Sequence, residues 1–162
     1  MNASRTLAAI VAAVAVVPLA QAACKQGVYG SPTDFVVVVL LPNAPQAQRY
    51  QFLDGRRGST ADSGAPLTCT EDGAVTIDRG EGKTERWTEM SMTATDTTFS
   101  SVQTQLAGRL IEPAGPSNRE RPLVVMVHGS ERTSALNSPY AYALVAQGIS
   151  VFVYDKRGTG GS

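Results

Sequence analysis

The stretch LVVMVHGSERTSALNSPYAYALVAQGISVFVYDKRGTGGS, residues 123–162, decides how the chain is read. It opens on an uninterrupted apolar run at 123–127 and returns to one at 150–154. Strands that are apolar at every position, rather than at alternate ones, belong in parallel sheets covered on both faces. Between the two runs, Ser138 stands at a helix N-cap, Pro139 at the first helical position, and Gly148 follows Gln147 as a C-terminal stop. Tyr140, Leu144 and Val145 recur at helical spacing and are predicted to face a sheet, with Ala141 and Ala143 suited to close contacts. Strand, helix and strand in this order make a βαβ unit with a right-handed crossover, and the fold class is α/β.

Upstream of this unit, residues 97–102 and 105–111 read as two strands of a hairpin, and PAGP at 113–116 with the polar 117–121 as a surface loop. A hairpin plus one βαβ unit is an incomplete sheet, because its outer parallel strand keeps a long edge and one bare face. Residues 96–162 are therefore expected to be the N-terminal portion of a larger α/β domain, cut off in mid-sheet. Residues 23–95 form a β-rich region of different texture. FVVVVLL at 35–41 is predicted to be buried on both faces, with further strands at 49–53, 75–78 and 86–93. Asp54-Gly55 and Asp72-Gly73 supply turns. Trp87 is read as a core residue of this region rather than a ligand platform.

The first 22 residues are read as a secretory signal peptide: Arg5, the apolar run 7–17, Pro18, then Ala20-Gln21-Ala22 as a cleavage site. The run is shorter than the roughly 20 apolar residues a membrane span needs. No stable membrane insertion is expected after cleavage, and the mature chain is expected in the periplasm or outside the cell. The two cysteines, Cys24 and Cys69, would meet oxidising conditions and pair. Gln21-Ala22-Ala23-Cys24 partly resembles a lipobox but lacks its leading aliphatic residue. With 14 basic and 14 acidic side chains in 162 residues, nothing points to a nucleic-acid surface.

Both strand ends of the βαβ unit carry polar residues and glycines: His128-Gly129-Ser130-Glu131 after the first, and 155–162 (DKRGTGGS) after the second. The carboxyl edge of an open α/β sheet is where ligands bind, and glycine lets backbone N–H groups approach developing negative charge. Three segments together, LAGRLIEP at 106–113, PLVVMVHGS at 122–130 and GISVFVYDKRGTGGS at 148–162, resemble the start of a bacterial α/β-hydrolase. The likeness is to the exported esterase and peptidase-like branch with a β-rich N-terminal extension, and it covers residues 96–162.

That resemblance implies acyl-transfer hydrolysis of a small ester or amide by Ser, His and an acid, without cofactor or metal. Ser130 then donates its backbone N–H to the oxyanion, and His128 and Gly129 support the oxyanion loop. The nucleophile of such enzymes stands in a later G-x-S-x-G turn, and the acid and histidine later still, so no triad residue is assigned within the chain. Ser162 with His128 and Asp155 is rejected as a triad, since Ser162 lies well beyond the strand that a nucleophile turn must follow. Asp155, Arg157 and Gly158 are assigned to the structure of the loop, through charge-assisted bonds to backbone or to each other. Glu131 and Arg132 are read as a solvated pair, and Gly158-Thr159-Gly160 as too short for a dinucleotide fingerprint. The alternative from a different class is a non-catalytic secreted module in which the β-rich region binds a ligand and folds independently.

Overall fold

The computed structural model describes residues 24–41, 44–116, 120–127, 129–130 and 132–162. The signal-peptide assignment, His128 and Glu131 lie outside the described residues. Strands β1 (Gly27–Ser31), β2 (Asp34–Leu41), β3 (Ala44–Phe52) and β4 (Arg57–Ser59) form a first antiparallel sheet in chain order. β5 (Leu67–Cys69), β6 (Val75–Gly80) and β7 (Lys83–Trp87) form a second.

The run at 35–41 explains why these sheets stack. Successive side chains of a strand point to opposite faces, and residues 35–39 are buried on both. Val36 and Val38 join Tyr29, Tyr50, Phe52, Leu67, Val75, Ile77 and Trp87 in a core between the first and second sheets. Phe35, Val37 and Val39 join Val28 on the other face. Trp87 sits in the first core with the Arg79 guanidinium 4.8 Å above its ring. Gly30 allows this packing: its φ is +122°, and a Cβ there would overlap the Asp34 carbonyl and lie 3.0 Å from the Trp87 ring.

The Cys24–Cys69 disulfide joins the chain entering β1 to β5, with Cα atoms 5.0 Å apart. Beside it the buried Gln48 accepts from the Cys24 N–H at 3.0 Å and donates to the Cys24 carbonyl.

The third sheet has the order β10-β11-β9-β8, from β8 (Met92–Ser101), β9 (Thr104–Pro113), β10 (Leu123–Met126) and β11 (Ser150–Tyr154). β10 and β11 are parallel, joined through α1 (Pro139–Ala146), while β11 runs antiparallel to β9. The hairpin is longer than the pattern at 97–111 suggested, starting at Met92 opposite Pro113. The division expected at residue 95 therefore falls inside β8.

Helix α1 begins at Pro139, but the Ser138 hydroxyl forms no cap; the Ser138 carbonyl instead accepts from Ala141 and Tyr142. Gly148 follows the last turn at φ +85°. Of the residues predicted to face the sheet, Val145 is buried and Leu144 half-packed, but Tyr140 is 55% exposed. Ala141, Tyr142 and Ala146 are buried instead. The reason is that α1 is covered from two sides. Ile111, Val151 and Val153 of the third sheet and Val28, Phe35, Val37 and Val39 of the first share one core with it. An independently folding β-rich module would leave that face of the first sheet uncovered.

The opposite face of the third sheet carries Leu123 and Val125, both more than half exposed, beside Phe152, Tyr154 and Phe99. This is the bare face expected of a sheet with one crossover helix.

Candidate functional site

Parallel strands β10 and β11 bring Val127, Gly129 and Ser130 and residues 155–162 to one edge of the third sheet. Asp155 organises that edge. Its N–H donates to the Ala107 carbonyl at 2.8 Å, extending the β11–β9 ladder by one residue, and its carboxylate is fully buried. The Ser134 hydroxyl lies 2.9 and 3.0 Å from the two carboxylate oxygens, the Ala135 N–H donates to Oδ1 at 2.7 Å, and the Gly161 N–H donates to Oδ2 at 3.0 Å. No cation adjoins this carboxylate among the described residues; such dipoles hold it, and each donor to an ionised acceptor counts for more than a neutral bond. Gly160 makes the wrap possible. Its φ is +49°, and a Cβ there would overlap the carboxylate and stand 2.9 Å from Ser134 Cβ.

Arg157 is not part of this arrangement: it is exposed and makes no bond to Asp155 among the described residues. Of the two kinds of bond expected, Asp155 makes those to backbone N–H groups and none to Arg157 among the described residues. Backbone N–H groups already satisfy the carboxylate, and the turn through Gly158, at φ +74°, leaves Arg157 in solvent. Lys156 takes the bridging part instead, its Nζ donating to the Gly129 carbonyl at 2.6 Å and tying the two strand-end loops together.

Ser162 is occupied on both sides of its hydroxyl. The Oγ donates to the Asp155 carbonyl at 2.8 Å and accepts from the Ala107 N–H at 2.8 Å, so it prolongs the ladder as a backbone group would. Its own N–H donates to the Thr159 carbonyl at 2.9 Å. No described base adjoins it. Ser130 and Arg132 are exposed on the loop after β10.

Behind the loop lies a second network that sequence reading missed. Arg109 holds Asp96 with Nε–Oδ1 at 2.5 Å and Nη2–Oδ2 at 3.0 Å, which keeps the Asp96 carboxyl below its ordinary range and raises the guanidinium. Arg109 Nη1 also donates to Asn137 Oδ1 at 3.0 Å, and Gln26 Nε2 donates to that oxygen at 3.0 Å and to the Tyr142 hydroxyl at 2.6 Å. The segment before α1 is thus held by Asp155 on one side and by Arg109 and Gln26 on the other. The Asp96–Arg109 pair could have been found by laying out the hairpin register. Gln26, more than a hundred residues away in sequence, gave no such signal. Among the described residues no group of three or more His, Cys, Asp or Glu could hold a metal ion.

Residues 118–162 match the family model described as serine aminopeptidase, S33, a family of α/β-hydrolases. No curated protein matches the chain. The matched segment takes in β10, α1, β11 and both strand-end loops, a little over a quarter of the sequence. It supports an α/β-hydrolase relationship and a hydrolase-type function at the level of the family.

Proposed function

We propose that the chain supplies the oxyanion side of a serine-hydrolase site acting on a small ester or amide, in an exported bacterial protein. Ser130 donates its backbone N–H to the oxyanion, and His128 and Gly129 shape the loop that carries it. Asp155 and Gly158 hold the neighbouring turn. Ser162 is not assigned as the nucleophile, and no turnover through its hydroxyl is expected. The single observation that supports this most is the contrast between the two strand ends. Ser130 is exposed at the carboxyl end of β10, where α/β sheets bind ligands, whereas both sides of the Ser162 hydroxyl are used by backbone groups. The Cys24–Cys69 disulfide fits an oxidising compartment, and no helix among the described residues is long and apolar enough to cross a membrane.

Incubation of the purified chain with a p-nitrophenyl ester tests the reading. No turnover above background is expected, with or without Ser162→Ala. Sustained hydrolysis abolished by Ser162→Ala would overturn it.

A further inference from the structure

The outer edge of β8 is built differently from the edges proteins usually protect. Natural edge strands are shortened, bulged, covered, or furnished with Lys and Pro. β8 runs unbroken from Met92 to Ser101 with no register shift against β9, and MTATDTTFSS contains neither Lys nor Pro. Every side chain from Thr93 to Ser100 is exposed, and no described strand pairs with its far side. Its one charge, Asp96, is already held by Arg109 of the same sheet.

Neighbouring contacts show which backbone groups point outward. The Ala107 N–H donates to Ser162 Oγ and the Ala107 carbonyl accepts from Asp155, so both polar groups of Ala107 face away from β8. Ala107 is paired with Thr98. In an antiparallel ladder both members of such a pair turn their N–H and C=O groups away from each other. Thr98, and with it Ala94, Asp96 and Ser100 at the two-residue period, therefore presents free donors and acceptors to the outer edge.

We propose that this edge pairs with the β8 edge of a second copy of the chain, antiparallel about a two-fold axis through Thr97. Outward residues must meet outward residues, so the axis passes through a residue rather than between two. An axis through Asp96 sets two carboxylates opposite each other, which is unfavourable. An axis through Thr95 or Thr98 overlaps fewer residues. The Thr97 axis overlaps residues 93–101 of both copies. Ala94 then exchanges bonds with Ser100 and Asp96 with Thr98, while Thr95 lies against Phe99. No like charges are opposed, and the two third sheets become one continuous sheet.

The test uses the chain with its Cys24–Cys69 disulfide intact. Sedimentation equilibrium is expected to show a monomer–dimer equilibrium. Thr98→Pro removes one outward N–H without touching the β8–β9 ladder, so the variant should be monomeric with an unchanged circular dichroism spectrum. Thr97→Cys places two cysteines in a non-hydrogen-bonded pair, whose Cα separation of about 4.5 Å suits a disulfide. A covalent dimer should form on air oxidation, while Thr95→Cys and Asp96→Cys should not cross-link. A wild-type chain that stays monomeric would overturn the proposal. So would a dimer that survives Thr98→Pro, or cross-linking at Thr95→Cys or Asp96→Cys in place of Thr97→Cys.

Discussion

Asp155 shows how much one side chain can hold when it is buried and charged. Asp155→Asn removes the charge and points an amide donor at a site lined by the Ser134 hydroxyl and the Ala135 and Gly161 N–H groups. The expected loss is about 3 kcal/mol, read from urea unfolding, because hydrogen bonds to ionised groups count for about 1.5–3 kcal/mol. Hydrogen exchange should accelerate first at residues 132–136 and 158–162, which that carboxylate joins. Tyr29 makes a second prediction at this scale. It is fully buried, its hydroxyl donates to the Lys25 carbonyl at 2.9 Å, and burial, helped by the Glu89 charge, pushes its phenol up to about 12. A group whose folded value is raised contributes stability below its unfolded value, near 10, and loses it as pH climbs through the folded one. Titration of the phenolate absorbance should therefore show a late-ionising component that Tyr29→Phe removes. Stability should fall between about pH 10 and 12, a window that Tyr29→Phe should narrow.

Among the elements, the disulfide has a calculable effect. It closes a separation of 45 residues between the start of β1 and β5. On the chain-entropy account this stabilises the fold by about 4 kcal/mol. Cys24→Ser with Cys69→Ser, or reduction of the wild type, should lower stability by that order in urea titrations. A smaller loss is expected if the Gln48 side chain keeps the Cys24 backbone in place. The elements themselves were largely legible in advance. The apolar runs at 35–41, 123–127 and 150–154 became strands, and Pro139 and Gly148 bracket the helix. What pattern alone misjudged was length and facing. β8 begins at Met92 because Met92 and Thr93 find partners in Pro113 and Glu112, a pairing that no local signal announces. Tyr140 points to solvent because α1 is pressed from two sides.

The two cores are expected to unfold together because they share the first sheet. Val36 and Val38 belong to one core and Phe35, Val37 and Val39 to the other, so each side of β2 depends on a different neighbour. Trp87, the sole tryptophan, reports the core between the first two sheets, and helical ellipticity reports α1 in the other. Fluorescence and circular dichroism should give coincident unfolding curves. Val37→Ala, which should cost about 2 kcal/mol by lost burial and cavity formation, should shift both curves equally. Separate midpoints would mean two independent units. The sequence by itself determined that a parallel βαβ unit follows a β-rich region, because apolar runs, a proline and a glycine act locally on the backbone. It also singled out the two strand-end loops, because their residue types are chemical ones. Only the tertiary structure decided that the β-rich region shares a core with α1, and that Gln26, Asn137 and Arg109 meet behind the loop. It decided between backbone donors and Arg157 as partners of Asp155, leaving Arg157 in solvent. Those outcomes depend on which distant surfaces become neighbours, and no spacing along the chain encodes that.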